Sequence, residues 1–240
     1  MIDNLQQKIN RGIRLIQSAA KIAKEHGQQL EIAYSGGKDS DVILELARMA
    51  DVDYVAIYKN TTIDHPYTIK HALENGAVVL HPKQTFYQLI VKYGFPTRFR
   101  RFCCNILKKY KVNDYVVLGI RRDESRSRQK YYHEPEACKV YSKKVKERQY
   151  YPILDWTKED VAQFIADRGI KCHPLYYDEQ GEFHPERRLG CLGCPLQSKK
   201  QREAQFKQFP KMVKFFIRGG GRILGNTSGY ETKNVFQRHI

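Results

Sequence analysis

Along the first 25 positions apolar residues recur every three or four places (Leu5, Ile9, Ile13, Ile16, Ala20, Ala23), the spacing that lines one face of an α-helix. His26-Gly27 supplies the stop. The pattern then changes. Leu30-Glu31-Ile32-Ala33-Tyr34 reads as a short strand, a glycine turn follows, and Val42, Ile43, Leu46 and Ala47 resume helical spacing. The alternation continues with a strand at 54–58, a helix at 66–74, a strand at 77–80, a helix at 85–92 and a strand at 115–119. Strands alternating with helices predict an α/β fold, a mostly parallel twisted sheet with helices on both faces.

Beyond Arg121 the pattern loosens. Residues 121–148 hold ten Lys or Arg against five Asp or Glu, with few aliphatic residues, and read as a long exposed excursion that orders on binding. Residues 151–156 return to the core. Thr157 is a good N-cap with Asp160 three residues on, and the helix it opens stops at Gly169. After a Cys-x-x-Cys loop come a polar helix at 197–209, a break at Pro210 and a triple-glycine hinge at 219–221. The expected organisation is an N-terminal helix (1–28), a main domain (29–196) and a helical tail (197–240).

Charge changes this picture. Lys and Arg exceed Asp and Glu by 42 to 26, a formal net charge of +16, and such a balance favours polyanions. Residues 92–111 carry seven Lys or Arg and no acid, interleaved with Tyr93, Phe95, Phe99, Phe102 and Tyr110. That combination suits phosphate contacts and base stacking; rings in a core beneath a solvated basic face fit the same residues. Hydrophobic residues at 41% exclude a disordered chain. The first twelve residues lack a sustained apolar run, and nowhere do 18 apolar residues follow one another. A soluble, cytoplasmic chain without a membrane partner is expected.

Ser35, Gly36, Gly37, Lys38, Asp39 and Ser40 lie between the first strand and the second helix, where an open parallel sheet binds ligands. Glycines let backbone N–H groups approach an anion, and the helix start favours negative charge. The spacing is not that of a Walker A loop. The segment resembles the PP-loop of the N-type ATP pyrophosphatase (adenine nucleotide alpha-hydrolase) superfamily. Three further segments resemble its phosphoadenosine phosphosulfate (PAPS) reductase-like branch: Asn60-Thr61-Thr62-Ile63-Asp64-His65-Pro66, Arg101-Phe102-Cys103-Cys104 with Lys108, and Gly119-Ile120-Arg121-Arg122-Asp123-Glu124-Ser125. The likeness covers residues of about 30 to 200 and implies a nucleotide site. In it Gly36, Gly37, Lys38 and Ser40 cradle pyrophosphate, Asp39 orients Mg2+, and Asn60 and Thr61 lie near the adenosine. Arg121, Arg122 and Glu124 close the site. Lys38, Asp39 and Arg121 are the candidate catalytic residues.

Four of the six cysteines form two tight pairs, Cys103-Cys104 and Cys191-x-x-Cys194; Cys138 and Cys172 stand alone. Thiolates suit zinc or an iron-sulfur cluster, and unligated structural or redox thiols are the third reading. The adjacent pair is awkward for a zinc knuckle. The glycines of 190–195 would let backbone N–H groups point at sulfur. The arrangement resembles the 4Fe-4S signature of adenylylsulfate (APS) reductases and of DNA phosphorothioation subunits. That resemblance implies Cys103, Cys104, Cys191 and Cys194 as cluster ligands.

Sulfonucleotide reductases of the branch use a C-terminal cysteine in an E-C-G-[LI]-H context, and no cysteine follows Cys194 here. Their PP-loop also tends to be degenerate, whereas this one is intact. The expectation is therefore an ATP- and Mg2+-dependent sulfurtransferase-type enzyme carrying a 4Fe-4S cluster. Its acceptor would be nucleic acid, DNA before tRNA, its sulfur donor a protein such as a cysteine desulfurase, and a homo-oligomer is compatible. The rivals are a reductase with an external thiol, a tRNA thiolation enzyme, and a non-catalytic nucleic-acid-binding redox module.

Overall fold

The computed structural model describes residues 4–140 and 146–215. Its elements are α1 (Leu5–Glu25), β1 (Leu30–Tyr34), α2 (Lys38–Ala50), β2 (Tyr54–Lys59), α3 (Thr68–Glu74), β3 (Val78–Leu80), α4 (Phe86–Tyr93) and α5 (Phe102–Leu107). They continue with β4 (Tyr115–Val117), α6 (Arg126–Tyr131), β5 (Glu136–Val140), β6 (Lys146–Tyr150), α7 (Lys158–Arg168) and α8 (Lys199–Gln208). The strands form one sheet in the order β3-β2-β1-β4-β6-β5. β1 pairs in parallel with β2 and β4, β4 in parallel with β6, and β5 runs antiparallel on β6. The expected α/β fold with a mostly parallel sheet is what the chain forms.

The chain divides into two compact units. The first comprises 1–58, 66–80 and 111–189 and holds the sheet. Its core is the apolar face of α1 (Ile9, Ile16, Ala19, Ala23), the inward residues of β1 and α2, and Tyr150, Trp156 and Phe164. Gly12 on α1 lets the Pro152 carbonyl come close, since a Cβ there would stand 3.2 Å from that oxygen. α7 begins on the expected Thr157 cap, with Asp160 completing a capping box, and ends on Gly169 in the left-handed region (φ 60°). Lys8 joins α1 to α7 through Asp160 at 2.5 Å.

The excursion expected at 121–148 is corrected by the structure: its described part contains α6, β5 and β6. β6 has few aliphatic residues, yet Glu147 and Gln149 are buried on one of its faces. Gln149 Nε2 donates to Glu147 Oε1 (2.5 Å) and Tyr151 Oη to Gln149 Oε1 (2.7 Å). A strand satisfied by such a polar ladder lacks the apolar alternation that reveals strands.

The second unit comprises 59–65, 81–110 and 190 onward. Ile63, Phe86, Leu89, Ile90, Leu107 and Leu192 form its core. α4 starts with a Thr85–Gln88 capping box and α8 with a Ser198–Gln201 one. Helical structure resumes at Pro210 and runs through 215, so Pro210 opens a turn of helix rather than ending the segment. The glycine hinge at 219–221 lies outside the described residues. No described helix is long and apolar enough to cross a membrane.

Candidate functional site

In the first unit β1 delivers the chain into the glycine turn at the carboxyl end of the sheet. Gly36 has φ +75°, and a Cβ there would fall 2.8 Å from Thr68 Cγ2, so both its backbone and its surroundings require glycine. Gly37 is the extended N-cap residue of α2. Ser40 Oγ donates to the Gly37 carbonyl (2.7 Å), and Ser35 Oγ donates to Ser40 Oγ (3.2 Å). These bonds fix the turn before any ligand arrives.

Three of the predicted residues form one chain of ion pairs. Lys38 Nζ lies 3.3 Å from Asp39 Oδ2, and Arg121 Nε lies 2.6 Å from Asp39 Oδ1. Lys38 and Arg121 are buried (6% and 3% exposed), where an unpaired charge would be costly. Arg121 is further held by Asp123 (3.2 Å) and the Trp156 carbonyl (3.5 Å). It reaches Asp39 because the chain after β4 passes very close to α2. A Cβ on Gly119 would meet the Asp39 carbonyl oxygen at 2.8 Å.

Several supporting residues were not singled out from the sequence. The Lys38 backbone N–H donates to Tyr176 Oη (3.3 Å), and the Lys38 ammonium stands 5.4 Å from the centre of the Tyr176 ring. Burial raises the Tyr176 hydroxyl well above its ordinary range, so it stays a neutral acceptor. Beneath the turn Tyr34 Oη donates to Asp41 Oδ1, and His71 Nε2 lies 3.0 Å from the same oxygen. Burial, and then the Asp41 charge, raise the Tyr34 hydroxyl. The only sequence signals for this layer were Asp41 one place beyond the motif and His71 one helical turn past Tyr67. Neither pattern is distinctive.

Other predicted nucleotide residues are placed differently. Arg122 pairs with Asp155 on an exposed edge. Glu124 Oε2 accepts from the Arg121 backbone N–H (3.4 Å) and pairs with Arg128; its Oε1 is 3.7 Å from Arg188. Asn60 and Thr61 belong to the second unit. Asn60 Oδ1 accepts from the Thr62 N–H (2.7 Å), and Asn60 Nδ2 lies 3.2 Å from His81 Nδ1.

The second unit gathers all four paired cysteines around one small apolar cavity, with Thr61, Phe86, Leu107 and Lys108 also in its wall. Cys103 and Cys104 come from the first turn of α5, Cys191 and Cys194 from the loop before α8. Thr61 Oγ1 is 3.5 Å and Asp64 Oδ1 3.6 Å from Cys191 Sγ. The Cys103 thiol lowers that of Cys104 to about 6, helped by Lys108, Arg101 and Lys109, while the same contact and burial raise Cys103. Burial raises Cys191 against the opposing pull of Lys108. A tetrahedral zinc with bonds of about 2.3 Å would bring its sulfurs to about 3.8 Å from one another. Among the described residues, the group of three such ligand atoms within 4.8 Å of one another is Asp178, Glu182 and His184, not the cysteines. Gly193, at φ +65°, donates its N–H to Gln205 Oε1 (2.9 Å) instead of turning it toward sulfur as expected. Cys172 is buried in the first unit and Cys138 is exposed on β5.

The family model described as the phosphoadenosine phosphosulfate reductase domain matches residues 29–197. An uncharacterized protein of Methanocaldococcus jannaschii is 29% identical over 208 residues, 80% of this chain and 48% of that protein. The adenosine 5'-phosphosulfate reductase of Streptomyces coelicolor is 23% identical over 64% of this chain and 66% of its own. The chain spans less than half the length of two archaeal relatives (48% and 39%). Among solved structures, phosphoadenylyl-sulfate reductase from Candida auris shares the fold, with a TM-score of 0.52 at 17% identity over 75% of this chain and 89% of that one.

Proposed function

The chain belongs to the phosphoadenosine phosphosulfate reductase domain family, and from that premise we propose that it is an ATP pyrophosphatase that activates a nucleic-acid acceptor for sulfur transfer, as in DNA phosphorothioation. Named members of the family are enzymes acting on sulfonucleotides. The observation that carries the reading is the intact glycine turn with Lys38, Asp39 and Arg121 joined in one buried ion-pair chain. Lys38 and Arg121 share Asp39, and Arg121 is also paired with Asp123, so an arriving phosphate would compete with these carboxylates for both cations.

In the proposed reaction an acceptor oxygen bonds to the α-phosphorus of ATP as the α–β bridge breaks. Pyrophosphate leaves with the electron pair. The persulfide of a donor protein, such as a cysteine desulfurase, then attacks the activated acceptor atom, and AMP leaves with the bridging oxygen and its electron pair. A donor-protein thiol cleaves the S–S bond to form a disulfide, leaving the sulfur on the acceptor. Gly36, Gly37 and Ser40 would hold the leaving pyrophosphate by backbone and hydroxyl groups, and Lys38 would offset the charge that grows on it. Asp39 has both oxygens engaged by cations. It would hold Mg2+ with ATP, which would supply positive charge to the phosphate oxygens, and one of its present cation partners would then turn to phosphate. Arg121 is the better placed to move, since Asp123 already shares it.

Cys103, Cys104, Cys191 and Cys194 would hold a 4Fe-4S cluster, which supplies sulfur carriage or electrostatic support. Four soft donors around apolar walls suit such a group.

The test is anaerobic purification with iron and sulfide analysis, then pyrophosphate release from ATP with DNA, tRNA or no acceptor. Iron and sulfide together with DNA-stimulated release are expected; neither iron nor release overturns the reading. A second reading, a sulfonucleotide reductase using an external thiol, is favoured by the likeness to the Streptomyces coelicolor enzyme. Sulfite release from adenylylsulfate with thioredoxin, without pyrophosphate release from ATP, would select it.

A further inference from the structure

In the second unit the loop before α5 closes into a tight turn. The Thr97 N–H donates to the Arg100 carbonyl (3.1 Å), and the Arg100 N–H donates back to Thr97 Oγ1 (3.0 Å). Arg98 and Phe99 therefore occupy the apex. Phe99 is 100% exposed, an extreme for an aromatic side chain in a turn held by two hydrogen bonds. It stands between Arg98 and Arg100, in a segment (92–110) with six Lys or Arg and no acid. Arg100 has no ion-pair partner among the described residues. Arg98 Nε donates to the Pro195 carbonyl (3.2 Å), tying the apex to the loop that carries Cys194.

We propose that this turn is a stacking platform for an unpaired base and that its partner is single-stranded nucleic acid, with Phe99 against the base and Arg100 and Arg101 on the flanking phosphates. The proposal deepens the reading above, on which it rests for the partner's role as sulfur acceptor. A phenyl ring stacks on any base whose face is uncovered, and inside a duplex neighbouring pairs cover both faces. Arginines beside the ring add contacts to phosphate that carry no sequence preference. An acidic protein surface would satisfy the arginines but gives a projecting ring no flat π-face, so the aromatic apex favours nucleic acid. The tether to Pro195 holds the bound strand next to the cysteine loop of the same unit.

The test is fluorescence anisotropy of the full chain without ATP, using labelled oligothymidylate and oligouridylate of about twelve nucleotides and a duplex of the same length. Both single strands, or one of them, should bind more tightly than the duplex; the tighter single strand identifies DNA or RNA as the source. Phe99→Ala should weaken single-strand binding about tenfold, and Phe99→Trp should restore it. Arg100→Gln should weaken binding and reduce the slope of log affinity against log salt by about 0.7. Equal affinity of Phe99→Ala and the parent, or preference for the duplex, overturns the proposal. Binding of a nonhydrolysable ATP analogue is measured separately with no oligonucleotide. Strand binding that fails while analogue binding persists sinks the platform alone, and analogue binding that fails while strand binding persists sinks the ATP reading alone.

Discussion

At the glycine turn the charged groups already neutralise one another within the protein, with Lys38 and Arg121 sharing Asp39, whereas at the cysteine cavity four sulfurs face apolar walls with Lys108 alongside. The first region is assembled from hydrogen bonds and ion pairs that a ligand must exchange. The second brings four soft donor atoms to one cavity wall. On the reading proposed above, the first would take an anion that comes and goes and the second a resident group. The difference teaches that the two regions should fail independently.

Lys38→Ala offers the largest effect: pyrophosphate release should fall about 10²- to 10³-fold, with the iron content of anaerobically purified protein unchanged. A parallel loss of iron would break the comparison. Cys191→Ser should reverse the pattern, losing most of the iron while retaining binding of a nonhydrolysable ATP analogue; full iron retention would remove Cys191 from the ligand set. Gly36→Ala sharpens it further. The left-handed backbone and the contact with Thr68 Cγ2 should together cost about 1–3 kcal/mol in urea unfolding. Thr68→Ser in the same chain should recover only the contact's share. Thr157→Ala, which removes the α7 cap, should cost about 1 kcal/mol in the same measurement and leave both iron and pyrophosphate release as they were.

The elements most legible in the sequence were those whose burial is apolar. α1 announces itself through Ile9, Ile16 and Ala23, and α7 through its Thr157 and Gly169 boundaries, because period and caps are local properties. β6 was missed because Glu147 and Gln149 satisfy each other's polarity inside the protein, a non-apolar route to burial. At the site, the order of the loop residues was legible, and the resemblance named Lys38, Asp39 and Arg121 as catalytic candidates in separate roles; the ion pairs that join them are seen only in the structure. The Tyr176 and His71 supports were not, because their roles arise from contacts between segments far apart in the chain. Arg122 shares its motif with Arg121 but pairs with Asp155, since successive side chains leave the backbone in different directions.

The second unit is stitched from three separated stretches of chain, and this affects synthesis. Cys103 and Cys104 emerge from the ribosome 87 residues ahead of Cys191. At about 5–20 residues per second that interval lasts about 4–17 s. For that time half the sulfur set waits without its counterpart, open to oxidants and to stray metal. Any group gripped by all four sulfurs must be loaded after Cys194 is translated, so its delivery waits on both stretches of chain.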